Sequence, residues 1–100
     1  MKAYRINPEK ASIDEIDVAN LADIVGQVGF DTIESDAIGT EGDRLYFDEE
    51  CFLRGGGVRF QIDTVIPVSG RAVVVGTNKD GSLCDVAADI ENLRSRIKYL

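Results

Sequence analysis

The run Ser69-Gly70-Arg71-Ala72-Val73-Val74-Val75-Gly76-Thr77 constrains the fold more than any other stretch of the chain. As a strand it would turn Ala72 and Val74 to one side and Val73 and Val75 to the other. Apolar residues on both sides mark a strand covered above and below, in the middle of a sheet. Gly70 and Gly76 punctuate its ends, and Asn78-Lys79-Asp80-Gly81 supplies a turn that returns the chain as Ser82 to Val86.

The remaining elements can be placed outward from this strand. Residues 2 to 7 alternate, with Tyr4 and Ile6 on one face, and Asn7-Pro8 ends them. Residues 13 to 18 fit either a short strand or the start of a helix. Asn20 reads as a helix cap with Asp23 three residues on, Leu21, Ile24, Val25 and Val28 as the buried stripe, and Gly29 as the left-handed stop. Phe30 to Ile38 and Arg44 to Asp48 read as two strands joined by a glycine-containing loop, with Leu45 and Phe47 facing inward. Asp48-Glu49-Glu50 begins a turn, Val58, Phe60 and Ile62 alternate as a further strand, and Pro67 leads into the central one. At the end, Val86, Ile90, Leu93, Ile97 and Leu100 recur at helical spacing behind Asp85 as cap, with Arg94, Arg96 and Lys98 toward the C-terminus. The expectation is a single α+β domain over residues 1–100. It comprises a mostly antiparallel sheet of five to six strands, one short internal helix, and a C-terminal helix packed on one face.

Composition narrows the chemistry. One hundred residues fit one core, and no apolar run approaches the roughly 18 residues a bilayer needs. The N-terminal segment has no signal-peptide core, so a soluble, cytoplasmic protein is expected. Cys51 and Cys84 are then expected as free thiols. There is no histidine, which removes Ser-His and Cys-His pairs and leaves no side chain that titrates near neutrality without a large shift. The net charge of −7 is concentrated between Asp31 and Glu50, where eight carboxylates face one base, Arg44, while the rest of the chain balances. Such a surface repels phosphate backbones, so direct nucleic-acid binding is not expected.

Three fragments in order carry a family resemblance: Tyr4-Arg5-Ile6-Asn7-Pro8, Gly42-Asp43-Arg44-Leu45-Tyr46-Phe47-Asp48-Glu49-Glu50, and Pro67 to Thr77 with the following Asp80-Gly81. Together with the length, they resemble a family of small uncharacterised proteins encoded by bacteriophages, plasmids and other mobile elements. The resemblance implies a setting inside a bacterial host cell and supplies no catalytic residues.

Local motifs do not assemble a reactive site. Gly55-Gly56-Gly57 between Arg54 and Arg59 is followed by a strand rather than a helix and lacks a Lys-Ser or Lys-Thr pair, so it reads as a flexible loop and not a phosphate cradle. Asp48-Glu49-Glu50-Cys51 lacks the spread of ligands a calcium loop requires. Glu34 and Asp36 would share one strand face about 7 Å apart, but nothing suggests an apolar pocket for acid–base work. Neither metal nor cofactor is expected, and no catalytic residue is assigned. The reading favoured is a non-enzymatic acidic interaction protein. On it, Glu34, Asp36, Glu41, Asp43, Asp48, Glu49 and Glu50 form a ribbon of outward charge that engages a basic macromolecular partner such as a host DNA-binding or defence enzyme. The alternative is a ligand-binding or enzymatic domain with a cleft near Arg54, Arg59 and Cys51. Tyr99 and Leu100 are candidates for a homodimer contact, although a five-position stripe is about what a helix packed on the core needs, and no membrane association is expected.

Overall fold

In chain order the elements are β1 (Lys2–Asn7), β2 (Ser12–Asp17), α1 (Leu21–Val28), β3 (Ile33–Ala37), β4 (Asp43–Asp48), α2 (Cys51–Arg54), β5 (Arg59–Ile62), β6 (Val68–Ser69), β7 (Ala72–Thr77), β8 (Leu83–Cys84), α3 (Ile90–Arg96) and β9 (Ile97–Tyr99). The computed structural model describes residues 1–54 and 57–100. Gly55 and Gly56, on which the flexible-loop reading fell, lie outside the described residues.

The main sheet is antiparallel throughout, in the order β2-β1-β7-β4-β3, with β8 paired to the far end of β7. The valine run therefore sits at the centre as expected, and Ala72 through Gly76 are all buried. Its two faces belong to two cores. Val73 and Val75 pack with Ala3, Val18, Ile24 and Val28, the last two contributed by α1. Ala72 and Val74 pack with Tyr4, Ile6, Leu45 and Phe47 under Phe60, Ile62 and Leu93. Fully burying a side chain of this size is worth about 1.5–3 kcal/mol, so a strand loaded on both faces anchors the layers above and below it.

Helix α1 starts and stops as its sequence dictates. The Asn20 side chain accepts the Asp23 N–H at 3.0 Å, and Gly29 adopts φ +94° with its N–H on the Val25 carbonyl. The ambiguous segment 13–18 is a strand, β2, because it pairs along its whole length with β1. Leu21, expected in the buried stripe, is half exposed.

The C-terminal helix is shorter than its apolar spacing suggests. It is capped at Asp89 rather than Asp85 and ends at Arg96. Ile97–Tyr99 then forms β9, which pairs with β5 in a second, three-stranded sheet of order β6-β5-β9. Ile97 and Tyr99 satisfy a period of two as well as the helical stripe, and pairing Phe60 with Tyr99 and Ile62 with Ile97 decides between them. This sheet and α3 together cover one face of the main sheet. The two-residue β6 and the one-turn α2 were not apparent in the sequence.

Candidate functional site

The acidic segment folds as the outer hairpin of the main sheet, with β3 at its edge. The structure divides the seven candidate carboxylates into three kinds. Glu34, Glu41 and Glu49 are exposed and Asp36 is half-buried, and none of the four has an ion-pair partner among the described residues. Glu50 is half-buried and lies 3.6 Å from an Arg54 nitrogen. Asp43 and Asp48 do not point outward at all; both are 3% exposed.

Those two buried aspartates hold structure. The Asp43 carboxylate accepts the backbone N–H groups of Ala87 and Ala88 at 2.8 and 2.9 Å, fastening the segment between β8 and α3 to the start of β4. Asp48 accepts from the Thr32 hydroxyl, the Glu50 N–H at 3.1 Å and Arg54 Nε at 2.6 Å. Burial disfavours the charge on Asp48, but these hydrogen bonds, Arg54 first, outweigh it and hold the carboxyl below its ordinary value. Burial of these two hydrogen-bonded acids reduces the ribbon of seven outward carboxylates to five, and the pairing of Glu50 with Arg54 reduces it to four.

The free side of β3 is blunted by its own side chains. Alternate residues of an antiparallel strand bond to the neighbour, and the bonds Ile38 N–H to Asp43 O and Glu49 N–H to Thr32 O place Ser35 among the outward-facing set. Its N–H is taken by the Glu34 carboxylate at 3.1 Å and its carbonyl by Arg44 Nη2 at 3.0 Å. At Ser35, the middle of this edge, a partner therefore meets side-chain charge before it meets open backbone.

A second concave region lies where β1 ends, α1 ends and β7 begins. One lobe, with a cavity volume of about 380 Å³, is lined by Pro8, Glu9, Val28, Phe30, Gly70 and Arg71 among others. A smaller lobe of about 170 Å³ shares Glu9, Phe30 and Gly70 and adds Asp48, Cys51, Arg54 and Val58. The Arg54 guanidinium stacks 3.8 Å above the centre of the Phe30 ring. Of the residues expected near a cleft, Arg54 and Cys51 are brought here, whereas Arg59 does not line it. Cys51 is a buried free thiol, and its carbonyl accepts the Ser69 hydroxyl at 3.3 Å. Phe30 and Arg71, absent from the sequence-derived candidates, give this groove its aromatic floor and a cation with no ion-pair partner among the described residues. The glycines beside them, Gly29 and Gly70, were the available signal.

Among the described residues, no group of three or more Cys, Asp or Glu is arranged to hold a metal ion, and no helix is long and apolar enough to cross a membrane. Cys84 is a half-buried free thiol. Tyr99 is half-buried within the second sheet, and Leu100 is more than half exposed beside it. No family model, no curated protein and no solved structure matches the chain.

Proposed function

We propose that the protein is a non-enzymatic acidic interaction protein that binds a basic macromolecular partner through the outer hairpin β3–β4. The observation that carries this reading is the set of four carboxylates, Glu34, Asp36, Glu41 and Glu49, displayed on and around the outermost strand without ion-pair partners among the described residues. Glu34 and Asp36 share one face of β3, and Glu41 and Glu49 stand at the opposite ends of β4. Unpaired carboxylates in a row attract a cationic surface from a distance and set its register on contact.

The resemblance to proteins of phages and plasmids gives the partner a natural class, a basic protein of the bacterial host such as a DNA-binding or defence enzyme. A cytoplasmic location follows from the same reading. The test is capture from bacterial lysate at low ionic strength on the immobilised protein, followed by a salt gradient. A basic protein retained at low salt and released steeply as salt rises is the expected result, because screening acts on exposed charge. Recovery of no basic protein would remove the proposal.

A further inference from the structure

We infer that the groove between α1, β1 and the start of β7 is a binding site for a small carboxylate with a planar apolar body, a function separate from the acidic edge. Three features define the ligand. Arg71 presents an exposed guanidinium with no ion-pair partner among the described residues. Phe30, stacked under Arg54, offers a partly exposed aromatic surface in both lobes. Glu9 also lines both lobes, and Asp48 lines the smaller one.

These groups select by charge and shape. Arg71 matches one carboxylate, and a guanidinium can hold it through two parallel N–H donors. Glu9, which lines the lobe that holds Arg71, disfavours a dianion such as phosphate, which would meet like charge there, whereas Asp48 is compensated by Arg54. Phe30, Val28, Pro8 and Val58 suit a flat apolar body, the usual lining of a small-molecule site with few polar contacts. The backbone is shaped to seat Arg71. Gly29 has φ +94°, which favours glycine, and a Cβ there would stand 2.8 Å from Arg71 Nη2, so a side chain at this position would push the guanidinium out of its place against the end of α1. Arg54 is fixed by Asp48 and serves as a stacking plate rather than as the anion receptor.

The experiment is an NMR titration of the ¹⁵N-labelled protein with phenylacetate, with phenylacetamide and inorganic phosphate as comparison probes. Phenylacetate is expected to shift the amide signals of Gly29, Phe30, Gly70 and Arg71 saturably in the low-millimolar range that a fragment of its size reaches. Phenylacetamide, and phenylacetate with the Arg71→Gln variant, should each bind about tenfold or more weakly. The variant's unperturbed amide spectrum elsewhere establishes that it is folded, and Phe30→Leu gives an independent reading of the apolar wall. Absence of saturable shifts, shifts indifferent to Arg71→Gln or to loss of the ligand charge, or tighter binding of phosphate than of phenylacetate would each overturn the assignment.

Discussion

Arg54 Nε stands 2.6 Å from a carboxylate oxygen of Asp48, and the two side chains differ sharply in setting: Asp48 is 4% exposed and Arg54 39%. The same carboxylate takes the Thr32 hydroxyl just before β3 and the Glu50 N–H just before α2. One buried charge thus joins the outer hairpin to the helix that walls the groove. Its partner reaches toward solvent, so water weakens the pair, and most of the cost of losing it comes from the hydrogen bonds.

This arrangement predicts a pH dependence. The folded-state value of Asp48 is held below its ordinary 3.8, with burial opposing and the hydrogen bonds from Arg54, Thr32 and Glu50 prevailing. A depressed carboxyl contributes stability that is fully present above its unfolded value and is lost as pH falls through the folded one. Asp63, held down chiefly by its hydrogen bond with Arg96, acts in the same direction. Urea unfolding from pH 7 to pH 2 should therefore show stability falling below about pH 4. Asp48→Asn should be less stable by about 2 kcal/mol at pH 7 and should lose less on acidification. An unchanged acid limb in the variant would contradict the role given to this carboxyl.

Asp43 makes a different prediction because its partners are backbone. Replacing it with alanine leaves the N–H groups of Ala87 and Ala88 without their acceptor at 2.8 and 2.9 Å. The expected loss is about 1–2 kcal/mol in chemical denaturation, because the two donors are only partly buried and water replaces some of what the carboxylate supplied. Faster amide exchange at Ala87 and Ala88 should accompany it.

Two glycines should respond to alanine with opposite signs. At Gly76 a Cβ would stand 2.3 Å from the carbonyl oxygen of Asp85, the residue just past β8, so Gly76→Ala should destabilise by about 3 kcal/mol. At Gly26 a Cβ would meet nothing within 4 Å, and the residue lies inside α1. Gly26→Ala should therefore stabilise by up to about 1 kcal/mol. Thermal and urea unfolding of the two variants measure both.

What could be read from the sequence was whatever local pattern alone determines. Val73 and Val75 against Ala72 and Val74 put β7 at the sheet centre, and Asn20 with Gly29 bounded α1 to the residue. The C-terminal stripe misled because Ile97 and Tyr99 fit two periods, and the choice is made by β5, more than thirty residues away. The acids posed the same difficulty. Asp43 looks no different from Glu41 in the chain, yet its partners lie 44 and 45 residues downstream. The groove is half legible: Arg54 and Cys51 stand close in sequence, but Phe30 and Arg71 join them only where the end of α1 meets the start of β7.

The central claim is that Glu34, Asp36, Glu41 and Glu49 form the binding surface, and a matched comparison of lysate capture tests it most directly. One variant carries E34Q, D36N, E41Q and E49Q; a control of equal charge change carries D14N, E15Q, D17N and E91Q at other exposed positions. Both should unfold within about 1 kcal/mol of the parent, as surface changes usually do. The account predicts that the first variant loses the salt-released basic protein and the control retains it. Equal retention by the two, or equal loss from both, would contradict it.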